Sequence, residues 1–317
     1  MRPGTSMAAK TGLSIMAEAG PTVATQSRAG SAAIWMIGAI VSFSAMAVAG
    51  RTVTVELDTF ELMTYRSAVS LVLVLAIGGV LGTLGQVRRN RLGLHAVRNL
   101  THFAGQNLWF YAITLIPLAQ VFALEFTSPL WVMLLAALFL GERLTLVKAL
   151  AGLAGFIGIL IVIRPGSAAI SPGMIAAAMA AICFAATAIF TKFLTRTETI
   201  TCILFHLAAM QLVFGLVVCL IDGQMTWPSL AIAPWVVLIG IAGLTAHFCI
   251  TKALSLAPAS IVMPMDFVRL PAIAIVGMAF YGEPLDWAVF LGAILIFAAN
   301  YANILAESRA HRRPAQL

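Results

Sequence analysis

Apolar runs of about 20 residues, bounded by charged residues, Pro or Gly, recur along the whole chain. A helix needs about that length to cross the hydrocarbon core of a bilayer. The pattern predicts ten helices, near 31–50, 62–82, 94–115, 118–140, 144–163, 172–194, 200–221, 234–256, 259–281 and 285–306. Pro, Gly and small residues are frequent inside these runs, which is tolerable where neighbouring helices pack closely and re-satisfy a freed backbone group. Residues 1–30 are rich in Ala, Ser, Thr and Gly and lack the continuous apolar stretch of a secretory signal, so they read as a disordered cytoplasmic tail, with Met7 and Met16 as equally good starts. Residues 307–317 read as a second tail. The expected fold is an all-α polytopic membrane protein.

Composition sharpens this. Of 317 residues 61% are hydrophobic and 10% charged, against about 45–50% and 25% in soluble domains, which excludes a soluble fold. The net charge of +7 would point to nucleic acid in a soluble protein, but here the cations sort by loop. With both termini in the cytoplasm, Arg88, Arg89, Arg91, Arg98, Arg143, Lys148, Lys192 and Arg196 fall inside, with Arg2, Lys10, Arg28, Arg309, Arg312 and Arg313 in the tails. Glu56, Asp58, Glu61, Asp222, Glu283 and Asp286 fall outside, with only Arg51 and Arg164 as cations there. The positive-inside rule therefore accounts for the basic balance, leaving anionic membrane lipid as a partner and no nucleic acid. Cys183, Cys202, Cys219 and Cys249 each lie in an apolar run, without a CxxC pair, and read as small buried hydrophobes; no metal or cofactor is expected.

The chain repeats itself. Thr114-Leu115-Ile116-Pro117 matches Ser255-Leu256-Ala257-Pro258 at a shift of 141 (258 − 117), and the register holds without a gap: Gly141-Glu142 falls on Gly282-Glu283, Phe126 on Phe267, Phe43 on Phe184 and Arg51 on Lys192. Two units of five helices follow, 31–166 and 167–306. Five is odd, so the second unit enters the membrane from the other side, which is the inverted repeat of many secondary transporters.

Ile116-Pro117, Ser128-Pro129, Leu138-Phe139-Leu140-Gly141-Glu142-Arg143-Leu144-Thr145 and Ile163-Arg164-Pro165-Gly166, with the second copy from Pro258 through Pro264 to Gly282-Glu283-Pro284, resemble the drug/metabolite transporter superfamily with its paired EamA domains. The resemblance covers nearly the whole chain outside the tails. It implies a ten-helix transporter with both termini cytoplasmic and a cavity lined mainly by the third, fourth, eighth and ninth helices. Among such proteins the chain most resembles those grouped with riboflavin and S-adenosylmethionine carriers.

Ionisable residues inside spans locate the candidate site. Arg66, Glu125, Asp266 and Arg269 would each cost about 2.5–3.5 kcal/mol at a helix centre, so they must face inward and find partners. Asp266 and Arg269 are spaced to pair on one helix face. Glu125 and Asp266 are equivalent under the shift (266 − 125 = 141), so two carboxylates would flank the midplane, able to bind an amine-bearing or cationic solute or to carry a coupling proton. On the third helix Arg98, His102 and Gln106 recur every four residues and continue into Trp109 and Phe110, a polar stripe opening into an aromatic one. Gln106 falls on His247, and Tyr65, beside Arg66, on His206. The candidate substrate-binding set is Tyr65, Arg66, Arg98, His102, Gln106, Trp109, Glu125, His247, Asp266 and Arg269.

These features predict a secondary transporter of a small metabolite or drug-like solute, working by alternating access with proton coupling or exchange; riboflavin, S-adenosylmethionine and amino acids are the substrate classes. No GxxxxGK[ST] loop for ATP and no HExxH or GxSxG set for an intramembrane enzyme occurs. A lipid flippase or membrane receptor is the alternative. An internal two-fold needs no second copy to form a pathway, so monomer and homodimer are both compatible.

Overall fold

The computed structural model describes residues 22–140, 146–164, 170–194, 196–223, 225–256 and 265–312. Among the described residues there is no strand, and the α-helices run α1 (Thr22–Val53), α2 (Thr59–Val80), α3 (Leu92–Leu115), α4 (Leu118–Glu125), α5 (Ser128–Leu140), α6 (Leu146–Ile163), α7 (Pro172–Leu194), α8 (Ile200–Asp222), α9 (Ala233–Leu256), α10 (Arg269–Tyr281) and α11 (Trp287–Arg312). The Gly141 to Thr145 motif, Pro165-Gly166, the stretch from Pro258 to Pro264 and both extreme termini lie outside the described residues, as do the side chains of Arg28, Lys148, Lys192, Arg309 and Arg312. Residues 22–30, expected as tail, are helical and continue into α1.

Local sequence sets the ends of these helices. Asp58 caps α2 by accepting from the amides of Phe60 (2.7 Å) and Glu61 (2.8 Å), while Glu61 accepts from the Asp58 amide at 3.0 Å, a reciprocal capping box. Thr199 caps α8, and Gly223 ends it at φ +71°, a left-handed conformation that glycine adopts without strain.

Among the described residues five helices are long and apolar enough to cross a membrane: Gly30–Val53, Thr59–Val80, Pro172–Thr191, Ile200–Ile221 and Ala233–Ile250. They match the first, second, sixth, seventh and eighth expected spans. Shorter apolar helices, Leu118–Val132, Ala149–Ile163, Arg269–Tyr281 and Trp287–Ala302, fall in four of the others. The third, α3, is diluted by its own polar stripe, for His95, Arg98, Asn99, His102, Gln106 and Asn107 are all buried.

The fourth expected span differs from the sequence reading in being two helices. Pro129 has no amide hydrogen and its ring obstructs the carbonyl four residues earlier, that of Glu125, so the helix stops at Glu125 and restarts at Ser128. The break is internally satisfied. Asn300 of α11 donates to the Phe126 carbonyl at 3.0 Å, and the Thr127 hydroxyl donates to the Leu124 carbonyl at 2.7 Å. A short 3-10 turn, Asp266–Val268, likewise precedes α10.

Helix pairing follows the repeat. α1 packs along α9, and its counterpart α7 packs along α3, while α2 pairs with its own counterpart α8 and α6 with α11. The pairs α2/α8 and α6/α11 are antiparallel. Glu61 meets Thr226 while Arg88, beyond the other end of α2, meets Cys202, and Thr64 lies 3.7 Å from Cys219 between them. At the α6/α11 crossing a Cβ on Gly158 would lie 2.8 Å from the Gly292 carbonyl, and one on Gly292 2.6 Å from that of Gly158, so both positions require glycine. The end of α1 is pinned across the repeats: Arg51 pairs with Glu283 and donates to the Ile116 carbonyl at 2.7 Å, while Glu283 accepts from the Leu118 amide at 2.9 Å. The second Gly-Glu motif is thus a clamp on the first turn of α4, where helical amides lack intrahelical partners.

Candidate functional site

The break in the fourth span and the turn before α10 bring Glu125 and Asp266 to one cation. Arg269 donates to Glu125 Oε1 at 3.2 Å and to Asp266 Oδ2 at 2.9 Å. Its guanidinium also lies 4.7, 4.9 and 5.0 Å from the ring centres of Phe43, Phe122 and Phe126. A planar guanidinium suits this position because it forms hydrogen bonds in its plane and stacks with its faces. The other Glu125 oxygen accepts from Trp109 Nε1 at 2.8 Å, and Trp109 packs edge-on against Phe122. The partner of Glu125 therefore comes from the other repeat. One cation stands between two carboxylates here, and Asp266 Oδ1 and Arg269 Nε are buried without a hydrogen-bond partner among the described residues.

The chain of contacts continues through Phe43. Its ring lies 6.0 Å from His247, which lies 6.3 Å from His102, which lies 5.9 Å from Phe184. Phe43 and Phe184 are equivalent under the shift (184 − 43 = 141), so each repeat sets one phenylalanine against a histidine. Both ring nitrogens of His102 and Oε1 of Gln106 are buried and make no hydrogen bond among the described residues. Buried polar atoms are ordinarily paired, so a run of unpaired ones along an aromatic-walled band is what a ligand or water would complete.

The remaining candidates fall elsewhere. Arg98 donates to Thr191 Oγ1 at 3.1 Å and Asn99 Oδ1 at 2.7 Å, fastening α3 to α7. Arg66 is 5% exposed, so it does not snorkel to a surface. It lies beneath Gly243 of α9 beside a cavity of about 20 Å³, room for about one water, that Gln211 also lines. No carboxylate pairs with it among the described residues. Tyr65 sits in the second turn of α2, donating to the Thr226 carbonyl at 2.8 Å and packing on Trp227, apart from the Arg269 cluster.

Cys202 is buried, as a small hydrophobe in an apolar run would be, but its neighbours are polar. Its sulfur lies 3.6 Å from His206 Nδ1 and 3.3 Å from Glu198 Oε2, with His95 stacked on His206. The Cys202-x-x-x-His206 spacing on α8 was the available signal; the third member comes from α3.

The EamA-like transporter family matches residues 30–164 and again 171–305. The chain is 32% identical to a riboflavin transporter of Brucella anthropi over 71% of this chain and 81% of that one. It is 30% identical to a riboflavin transporter of Rhizobium johnstonii over 91% and 96%. It is 26% identical to an S-adenosylmethionine uptake transporter of Rickettsia bellii over 87% and 94%. A solved protein structure with 20% sequence identity superposes at a TM-score of 0.61, covering 89% of this chain and 99% of that one, a likeness of fold. The protein belongs to the EamA-like transporter family and is a multi-pass membrane protein built from two EamA repeats.

Proposed function

We propose that the protein is a secondary transporter that carries a small, flat, partly aromatic metabolite across the bacterial inner membrane by alternating access. Riboflavin and S-adenosylmethionine are the first substrates to test, being those named for its relatives; amino-acid-like solutes come next. Ten spans, repeats of 31–166 and 167–306, and cytoplasmic tails at both ends complete the reading, supported by the five long apolar helices, the four shorter ones and the polar α3. Antiparallel pairing of repeat-equivalent helices supports inversion of the second repeat. The sorting of basic residues to one side supports the orientation. The unit forms its pathway as a monomer, with membrane lipid and solute as partners, no nucleic acid, and no enzymatic step.

The observation that carries this reading is the meeting of two repeat-related carboxylates on Arg269 at broken helices, continuous with an aromatic band in which the His102 ring nitrogens and Gln106 Oε1 have no hydrogen-bond partner among the described residues. In this band His102, Gln106, Trp109, His247 and Glu125 contact the solute, while Asp266 and Arg269 set the charge. Arg66 adds a second cation reachable through water, and Arg98 and Tyr65 hold the walls. A carboxylate released from Arg269 is available to an amine, a cationic solute or a coupling proton. Counterflow into proteoliposomes tests it, with labelled riboflavin, S-adenosylmethionine, aromatic and basic amino acids and cationic dyes as the panel. Accumulation of the flat heteroaromatic solutes is expected, and verified folded protein that exchanges none of the panel would sink the proposal.

A further inference from the structure

At the end of the helix bundle that carries the loop between α2 and α3, three side chains converge that transport does not require. His95 lies one turn into α3, and Cys202 and His206 lie one turn apart on α8. One ligand atom of each lies within 4.8 Å of the others, and all three residues are buried. His95 is 0% exposed, and neither of its ring nitrogens has a hydrogen-bond partner among the described residues, a costly state for a buried imidazole with nothing to bind.

We propose that His95, Cys202 and His206 form a binding site for a borderline-soft divalent metal ion of the Zn²⁺ type. Two imidazoles and a thiolate are the donor set such ions prefer over the oxygen ligands of Mg²⁺ or Ca²⁺. Zn–S and Zn–N bonds of 2.3 and about 2.05 Å at a tetrahedral angle set the two ligand atoms about 3.6 Å apart. The separation of Cys202 Sγ and His206 Nδ1 is 3.6 Å. Binding forms one metal–sulfur and two metal–nitrogen bonds and releases the thiol proton, for which the Glu198 carboxylate at 3.3 Å is the nearest acceptor. His206 donates Nδ1–H to the Cys202 carbonyl at 2.9 Å. Ligation through Nε2 keeps that bond as orienting support, whereas ligation through Nδ1, the atom 3.6 Å from the sulfur, moves the ring proton to Nε2 and gives up that bond, with no proton lost beyond the thiol's.

The ion would join α3 of the first repeat to α8 of the second, with the Arg88 backbone already on the sulfur at 3.4 Å. It would therefore hold this end of the molecule shut. This second step rests on the transport reading, whereas binding itself does not.

The test titrates the full chain, purified in detergent, with Co²⁺ as a spectroscopic substitute and then with Zn²⁺. One equivalent of Co²⁺ should raise a thiolate-to-metal charge-transfer band that Zn²⁺ abolishes, and Zn²⁺ should raise the Tm. Cys202→Ser should lose the band. His95→Gln, which breaks no hydrogen bond, should keep the fold and weaken binding at least about tenfold. Folded, monodisperse wild-type protein with neither band nor Tm shift overturns the site. So does a band that survives Cys202→Ser, since another cysteine must then supply the sulfur. In proteoliposomes Zn²⁺ should slow counterflow of wild type and spare His95→Gln; equal rates with binding intact would overturn the clamp and leave the metal site standing.

Discussion

Arg269 does for the centre of this molecule what no neutral residue could, since among the described residues it alone pairs with the two carboxylates that insertion brings into a low-dielectric interior. Arg269→Leu should destabilise the protein by about 3–5 kcal/mol, the range for leaving a buried charge without its partner, read as a fall in the detergent Tm. Glu125→Gln and Asp266→Asn keep shape and hydrogen-bonding capacity, so the expected outcome is normal insertion and Tm with counterflow lost. Normal transport by both would show that these carboxylates serve packing alone. The Asp266–Arg269 pair was legible from a spacing of three on one helix. That Glu125 shares the same cation was not, because its partner is 144 residues away and periodicity reads only one helix at a time. The repeat shift came nearest, by making Glu125 the counterpart of Asp266. Tyr65, a neighbour of Arg66 in sequence, lies in the second turn of α2 and its hydroxyl reaches out to the loop after α8 at Thr226.

At the scale of helices, a described helix falls within each apolar run, but the runs did not show the interruption in the fourth. Ser128-Pro129 was in view, and its consequence depends on Asn300, whose amide reaches the Phe126 carbonyl from the far end of the chain. Asn300→Leu removes that donor without opening a cavity. It should cost about 1–3 kcal/mol, the penalty for a buried acceptor left unpaired, measurable as a lower Tm in matched detergent. The α6/α11 crossing gives a sharper expectation. Gly292→Val would drive a branched side chain into the Gly158 carbonyl and the Val162 backbone, parting the two helices. Loss of folded protein on gel filtration is expected, and a monodisperse Gly292→Val variant of wild-type stability would count against close packing there.

For the whole molecule, the decisive relation is between α2 and α8, repeat counterparts that run antiparallel with Thr64 3.7 Å from Cys219. In a background lacking Cys183, Cys202 and Cys249, Thr64→Cys places two thiols where a disulfide can form. Oxidation should arrest counterflow and reduction restore it, if this end opens during the cycle; unchanged exchange in the oxidised protein would mean the two helices stay together throughout.

The two ends of that helix pair are also unlike. Under the shift of 141, Glu61 answers to Cys202, Tyr65 to His206 and Val236 to His95. At one end Glu61 and Tyr65 hold the backbone of Thr226, and at the other the Cys202 thiol meets the Arg88 backbone beside two imidazoles stacked on each other. A perfectly symmetric inverted repeat would be equally happy facing either compartment. Here the latches differ in chemistry, so an alternating-access carrier of this build would wait on one side, each 1.4 kcal/mol between the latches being about a tenfold skew. That waiting side decides which compartment loads the carrier first.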